Sequence, residues 1–191
     1  MSNEEDIAPR EFRGPSERIR KGLLIVYTGE GKGKSTAAFG MVFRSLGRGY
    51  KVAIVQFMKG PWVTGEIPAL ERFGDAVEVH RIGEGFTWET KSLEKDKALA
   101  RQAWDICLRL LKDGKHDLYL FDELVYVLKY KFLPEDEVLR GLALRPAASH
   151  VVVTGRDASP SLVAAADLVT EMKEIKHPFR QGIVAQPGVD Y

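Results

Sequence analysis

The sequence has few of the features that mark secreted, membrane or nucleic-acid-binding proteins. Its one cysteine, Cys107, cannot form a disulfide within the chain, which fits a reducing compartment. No apolar run approaches the roughly 20 residues that span a bilayer, and residues 1–21 contain no apolar segment of the kind found in secretory signals. The formal net charge is only +1, so we expect neither a nucleic acid nor a membrane as a partner.

The sequence also has few histidine and cysteine side chains at positions that indicate a metal site or a catalytic nucleophile. His80 and His150 lie in strand patterns, where a structural role is expected. His177 lies in a C-terminal loop and could face a ligand, but no second residue stands at a metal-ligand spacing from it. Cys107 lies on the apolar face of a predicted helix, which favours a core position over a nucleophile.

The length of 191 residues is sufficient for one domain with a substantial core, and the hydrophobic content of 45% is ordinary for a globular protein. Residues 1–21 mix acidic and basic side chains, so we expect a flexible polar segment there. Residues 22–191 are expected to form a single domain.

Apolar, β-branched runs alternate with helical patterns along the chain. Continuous apolarity within a run favours strands covered on both faces, as in a parallel sheet. The predicted strands are Leu23–Thr28, Val52–Phe57, Val77–Arg81, Leu118–Asp122, His150–Thr154 and Leu168–Glu171. The predicted helices are Ser35–Leu46, Glu89–Lys112 and Pro134–Leu144, with shorter ones near Ile67–Phe73, Leu124–Tyr130 and Pro160–Ala166. In the long helix, one apolar face combines Leu93, Ala100, Ala103, Trp104, Cys107, Leu108 and Leu111. The pattern predicts an α/β, doubly wound, mostly parallel sheet of about six strands, with ligands at the carboxyl ends of the strands.

Residues 28–36 read T-G-E-G-K-G-K-S-T and lie between the first strand and the first helix. Such a glycine-rich turn lets backbone N–H groups approach phosphate oxygens, and the helix N-terminus adds its own N–H groups. Lys34 supplies a charge for the phosphates, and the Ser35 hydroxyl can ligate Mg²⁺. The usual pattern is G-x-x-x-x-G-K-[ST]; here the glycine spacing is one residue short and an extra lysine, Lys32, lies inside the loop. We predict a nucleoside triphosphate site rather than a chance surface turn, because strand, loop and helix follow in the required order.

Polar residues stand where the other strands end. Asp122 and Glu123 follow an apolar strand, where a carboxylate that directs Mg²⁺ is expected, although they could simply cap the next helix. Another strand ends in Thr154, Gly155 and Arg156, and the arginine could clamp a phosphate or form a surface salt bridge. The predicted ATP contacts are Gly29, Glu30, Gly31, Lys32, Gly33, Lys34, Ser35, Thr36, Gln56, Lys59 and Arg156.

The loop after the third strand contains G-F-T-W-E-T at residues 85–90. Large aromatic side chains usually lie on helices or strands, so Phe86 and Trp88 in a glycine-flanked polar loop favour a stacking platform for an apolar ligand. Packing of the loop against the body of the protein is the alternative.

Together these motifs closely resemble the ATP:corrinoid adenosyltransferases that carry a phosphate-binding loop, from about Gly22 to Tyr191. G-F-T-W-E-T beside the shortened loop is the most specific feature. The matching segments are Tyr27–Phe39, Val55–Gly60, Thr64–Glu66, Gly85–Thr90, Asp122–Tyr130, Arg145–Pro146, His150–Arg156, Ala165–Met172 and Lys176–Gln186. Two positions depart from the family's usual residues: Glu30, where Asn is more frequent, and Ser35, where Thr is more frequent.

The resemblance implies a RecA-like P-loop architecture and a displacement at carbon. Co(I) of a reduced corrinoid attacks the 5′ carbon of ATP, forming a Co–C bond and expelling triphosphate. It implies catalytic roles for Lys34, Phe86 and Trp88, corrinoid contacts from Phe86, Thr87, Trp88 and His177, and a Mg²⁺ (or Mn²⁺) site at Ser35 with Asp122 or Glu123. The corrinoid could be cobalamin, cobinamide or cobyrinic acid a,c-diamide. A cytoplasmic homodimer supplied by a reduced flavoprotein electron donor is likewise implied.

Two other functions are compatible with a phosphate loop. An ordinary ATPase or kinase would use Asp122 or Glu123 to orient water or a hydroxyl and would release phosphate or ADP. A nucleotide-gated binding module related to recombinase-like ATPases would act on a protein or nucleic acid, but the near-neutral charge disfavours the nucleic-acid form.

Overall fold

The computed structural model describes residues 19–58, 64–83 and 93–191. In this part of the chain there are six strands: β1 (Leu24–Thr28), β2 (Val52–Phe57), β3 (Val77–Ile82), β4 (Leu118–Asp122), β5 (His150–Thr154) and β6 (Leu168–Glu171). They form one sheet in the order β3-β2-β4-β5-β1-β6, and every neighbouring pair is parallel. All six predicted strands are confirmed, with ends that differ by at most one residue.

The helices of the described residues cover both faces of the sheet. They are α1 (Lys34–Leu46), α2 (Glu66–Leu70), α3 (Leu93–Asp113), α4 (Leu124–Lys129), α5 (Glu135–Leu142) and α6 (Pro160–Ala165), with 3-10 helices at Glu71–Ala76 and Pro178–Gln181. Apolar residues of α1 and α2 pack on one face of the sheet, and those of α3, α4, α5 and α6 pack on the other. None of the described helices is both long and apolar enough to cross a membrane.

This arrangement confirms the doubly wound α/β fold. The connections that follow β1 and β2 run over one face, whereas those that follow β4 and β5 run over the other. Adjacent strands such as β1 and β5 therefore lead the chain to opposite faces, and this opens a crevice at their carboxyl ends. The loop after β1, the end of β4 and the end of β5 meet at this crevice.

Several details differ from the predicted elements. The helix predicted from Ser35 begins at Lys34, and the one predicted to end at Leu144 ends at Leu142. The helix predicted near residues 67–73 is a short α-helix followed by a 3-10 helix, and Gly74 within the 3-10 helix has a positive φ that interrupts its helical conformation. The predicted start of α3 at Glu89 lies outside the described residues.

Burial also corrects two expectations. Leu93 is 56% exposed, so the apolar face of α3 does not extend to its first turn, while Leu110 joins the buried face. The side chains of β6 are largely exposed, because this strand is at an edge of the sheet and pairs only with β1 in the described structure. By contrast, every residue of β2 and β4 is buried, as continuous apolar runs predict.

Candidate active site

The glycine-rich loop joins β1 to α1, as predicted. Two of its glycines are packed against the chain that follows β6: a Cβ on Gly29 would collide with the carbonyl of Met172, and one on Gly31 would lie 2.7 Å from the carbonyl of Lys173. The Gly31 N–H donates to the Met172 carbonyl at 2.7 Å, and the Met172 N–H donates to the Thr28 carbonyl at 2.7 Å. The loop therefore needs glycine for contact with its own protein as well as for access by a ligand.

Lys34 lies at the start of α1 with its side chain folded back under the loop. Its Nζ donates to the carbonyl oxygens of Gly29 at 2.7 Å and Gly31 at 2.6 Å. Burial lowers the pKa of Lys34 from its ordinary value, and the nearby Arg156 guanidinium lowers it further, while the carboxylates of Glu123 and Glu30 oppose this shift. An ammonium group has three donors, so the two carbonyls leave one for an anion in the loop.

A buried hydrogen-bond network surrounds the carboxylate of Asp122, the last residue of β4. The Ser35 hydroxyl donates to Oδ1 at 2.8 Å, the Thr154 hydroxyl donates to the same oxygen at 2.7 Å, and the Gln56 amide donates to Oδ2 at 3.1 Å. The four side chains come from the ends of β2, β4 and β5 and from the first turn of α1. The network holds a carboxylate oxygen of Asp122 next to the Ser35 hydroxyl of the glycine-rich loop.

Glu123 is the residue between β4 and α4 and has a left-handed backbone, with φ of 67°. Its backbone N–H donates to the Thr154 hydroxyl at 2.9 Å. Its side chain makes no capping hydrogen bond to α4, so the alternative that this carboxylate serves as a helix cap is not supported. The Asp122 side chain thus lies among hydroxyl groups at the carboxyl end of the sheet. Glu123 lies near Lys34, and its carboxylate acts to raise the pKa of that lysine.

Charged residues at the rim of the loop form ion pairs. Arg156 Nη1 lies 3.0 Å from Oε2 of Glu30, and these side chains are 43% and 56% exposed. Lys32 forms an ion pair with Asp190, and this pair ties the C-terminal segment to the loop. The hydrogen bond from Lys32 holds the pKa of Asp190 below its ordinary value, and the Gln186 N–H contributes in the same direction.

The structure brings together most of the predicted site residues. Gln56 is buried and donates to Asp122, so it supports that carboxylate, and its contact with ATP stays a prediction. His177 is half-buried near Asp190, and its Nδ1 accepts the Phe179 N–H at 3.2 Å. The predicted contacts Lys59, Phe86, Thr87 and Trp88 lie outside the described residues. Cys107 is fully buried in the core, and burial raises its thiol pKa well above the ordinary value, as expected for a structural residue.

Two residues that contact the predicted site residues were not predicted from the sequence. Thr154 ends a buried strand, and a threonine at a strand end carries no sequence pattern that signals its contacts. No local pattern connects Asp190 to Lys32, because the two residues are 158 positions apart.

A parallel doubly wound sheet, a glycine-rich strand-to-helix loop, an inward lysine and a hydroxyl–carboxylate pair together define a P-loop α/β protein. The flagellar accessory protein FlaH from Methanocaldococcus jannaschii has a similar fold, with a TM-score of 0.51 over 80% of this chain and 72% of that one, at 14% identity. Residues 20–191 match the family of ATP:corrinoid adenosyltransferases BtuR/CobO/CobP, and the chain belongs to this family.

Curated relatives agree with the family match. The chain is 50% identical to a corrinoid adenosyltransferase of Pseudomonas aeruginosa, with 91% of this chain and 86% of the relative covered. It is 47% identical to one from Sinorhizobium sp, with coverage of 96% and 87%, and 43% identical to one from Escherichia coli K12, with coverage of 98% and 93%. The resemblance inferred from the motifs is confirmed.

Proposed function

We propose that this protein transfers the 5′-deoxyadenosyl group of ATP to the Co(I) centre of a reduced corrinoid. The family match over residues 20–191 is the observation that carries the proposal, and the loop with its buried lysine supplies a matching site for the triphosphate. The electron pair of Co(I) forms the Co–C bond, the bond between C5′ and its oxygen breaks, and its electron pair leaves with the triphosphate. No proton is moved at the reacting carbon, so the reaction requires no general base.

The chain's own contribution is to bind the leaving group and to stabilise its charge. Negative charge develops on the α-phosphate side as the C–O bond breaks, and fixed donors in a water-poor site stabilise such charge strongly. Lys34 keeps one N–H donor for a phosphate oxygen beside the two that it gives to the loop carbonyls. We assign the remaining phosphate contacts to Lys32, Arg156 and the N–H groups at the start of α1.

The oxygen donors of the site fit Mg²⁺ or Mn²⁺. Such an ion is usually held by one or two carboxylates together with substrate phosphates and water, and Ser35 Oγ lies 2.8 Å from Oδ1 of Asp122 at the edge of the loop. We assign Ser35 as a ligand, with Asp122 or Glu123 as the acidic partner. When bound, the ion neutralises part of the triphosphate charge.

The short loop supports a distinct course of the triphosphate. The Gly31 N–H donates to the Met172 carbonyl, which removes one loop donor from the set available to phosphates. We propose that the triphosphate lies in the loop differently than in an ATPase and leaves the 5′ carbon accessible to the corrinoid. A complex with ATP and Mg²⁺ in which the 5′ carbon is enclosed would refute this arrangement.

Phe86 and Trp88, with Thr87 and His177, are proposed to form the corrinoid side of the site. Co(II) is reduced to Co(I) more readily without axial ligands, and an aromatic wall excludes water and bases from those positions. We expect Phe86→Ala and Trp88→Ala to lower turnover, by about tenfold or more, while ATP affinity measured by calorimetry stays unchanged. An equal loss of ATP affinity would assign the two residues a structural role.

The finer features of the proposal follow the family resemblance. We propose a cytoplasmic homodimer that receives electrons from a reduced flavoprotein. The acceptor is cobalamin, cobinamide or cobyrinic acid a,c-diamide, so both biosynthesis and salvage of corrinoids are compatible with the site.

An anaerobic assay with ATP, Mg²⁺ and chemically reduced cob(I)alamin tests the reaction. We expect the visible spectrum of a light-sensitive alkylcobalamin and one triphosphate released for each corrinoid alkylated. If cobalamin does not react, the same assay with cobinamide distinguishes acceptor choice from a wrong reaction. Release of ADP and phosphate without dependence on any corrinoid would replace the proposal by the ATPase alternative.

A further inference from the structure

Thr154 lies between the two acidic residues at the end of β4, Asp122 and Glu123. It is the last residue of β5, its exposed fraction is 0%, and it does not reach the surface of the crevice. Its single hydroxyl donates to Oδ1 of Asp122 at 2.7 Å and accepts the backbone N–H of Glu123 at 2.9 Å. One side chain thus contacts the side chain of one candidate metal ligand and the backbone of the other.

The bond to Asp122 involves the oxygen that Ser35 also uses. Because Ser35 Oγ donates its hydrogen to Oδ1, its lone pairs point away from the carboxylate and are available to a metal ion. That orientation requires Oδ1 to stay in place. Thr154 on Oδ1 and Gln56 on Oδ2 hold the carboxylate from the protein side.

The bond to Glu123 supports a strained backbone. A non-glycine residue with φ of 67° adopts a sparsely populated conformation that persists only where neighbouring structure holds it. The next residue of the β5 end, Gly155, is packed so closely on α4 that a Cβ there would lie 2.7 Å from Cβ of Val125. The end of β5 and the turn at Glu123 are therefore docked together, with the Thr154 hydroxyl between them.

We infer that Thr154 is a positioning residue that sets the orientation of Asp122 and Glu123 for the metal–ATP complex. This inference rests on the proposed use of metal-bound ATP by this site, but not on the corrinoid step. It predicts that metal-dependent ATP binding needs the Thr154 hydroxyl, although this fully buried residue is not itself assigned a contact with the metal or with ATP. Groups that orient metal ligands typically change metal affinity by about 10- to 100-fold when they are lost.

One matched pair of variants tests the inference. Thr154→Val keeps the shape and removes the hydroxyl, and Thr154→Ser keeps the hydroxyl and removes a methyl group. The affinity for Mn²⁺ in the presence of ATP is measured by electron paramagnetic resonance without corrinoid, and ATP affinity in EDTA is measured by calorimetry. We expect Thr154→Val to lower the Mn²⁺ affinity by about tenfold or more, Thr154→Ser to stay within about threefold, and both to match the wild type in EDTA.

Several outcomes overturn the inference. Unchanged Mn²⁺ affinity in Thr154→Val, an equal loss in both variants, or an equal loss with and without metal would each assign Thr154 to packing alone. If Thr154→Val does not fold, Thr154→Cys compared with Thr154→Ser asks the same question at nearly constant size, because a thiol is a weak hydrogen-bonding group. If the wild-type chain does not bind Mn²⁺ with ATP, the proposed metal–ATP site fails and this inference with it, whereas normal wild-type binding with unaffected variants overturns the Thr154 role alone.

Discussion

The floor and the rim of the phosphate loop use opposite kinds of interaction. At the floor, the Asp122 carboxylate is completely buried and is held by donors that carry no charge, from Ser35, Thr154 and Gln56. At the rim, charged partners pair at the surface, Arg156 with Glu30 and Lys32 with Asp190.

The difference separates a fixed part of the site from an exchangeable part. Neutral donors hold a buried carboxylate in a fixed orientation without bringing in a cation that would compete with a metal. Exposed ion pairs contribute little to stability, so an incoming triphosphate can replace the carboxylate of such a pair at small cost. We therefore expect the floor to determine folding and metal geometry, and the rim to tune ATP affinity.

The largest effect is expected from Lys34, which belongs to neither group because it bonds to the loop itself. Lys34→Met keeps most of the side-chain length but removes the ammonium group, and we expect kcat/KM for ATP to fall by about a hundredfold or more. Steady-state kinetics and ATP calorimetry measure the loss. Lys32→Met is the matched control, and its effect should stay within about tenfold, because the rim lysine is 49% exposed. Equal losses in the two variants would contradict the distinction between the buried and the exposed lysine.

The next effect distinguishes floor from rim by stability. Asp122→Ala leaves three hydrogen-bond donors without their acceptor in a buried site, and we expect the free energy of unfolding to fall by about 2–4 kcal/mol. Arg156→Ala removes one partner of an exposed pair and should change it by less than about 0.5 kcal/mol. Urea denaturation followed by circular dichroism measures both. A comparable change in the two variants would show that the floor is no more structural than the rim.

The smallest effect is expected from the rim carboxylates. Glu30→Gln and Asp190→Asn each free a cation for phosphate, and we expect ATP affinity to rise by about two- to fivefold at low salt and less at high salt. Because the hydrogen bond from Lys32 holds the pKa of Asp190 below its ordinary value, the carboxylate stays charged down to a lower pH than a free aspartate does, and the ion pair is lost only as the pH falls through that lowered pKa. The effect of Asp190→Asn should therefore be constant between about pH 5 and pH 8 in calorimetric titrations. Lower ATP affinity in both variants would show that these carboxylates help to bind ATP.

The fold was largely predictable because its strands carry their own signal. Apolar runs such as Val52–Phe57 and Leu118–Asp122 are buried on both faces, and a parallel sheet is the structure that buries them. The prediction was less accurate where burial depends on neighbours. Leu93 continues the apolar period of α3 but is exposed, and β6 resembles an inner strand in sequence but is at the edge.

The site, like the fold, was predictable in part. Lys34, Ser35 and Asp122 stand at positions where the local order of strand, loop and helix implies phosphate and metal chemistry, and the structure brings Ser35 and Asp122 into contact. The role of Thr154 was not predictable, because a threonine at a strand end has no distinctive pattern. Its contacts with Asp122 and Glu123 form only because β4 and β5 lie side by side in parallel register.

By itself, the sequence determined the succession of strands and helices along the chain, the glycine-rich loop and the family. These features depend on periodicity and on residues that are close together in the chain. The tertiary structure decided which partner each charged or polar group takes. Ser35 and Asp122 are 87 positions apart, and Lys32 and Asp190 are 158 apart. Such pairs depend on the order of the strands within the sheet and on the packing of the C-terminal segment against the loop. Neither of these arrangements is encoded within any short stretch of the chain.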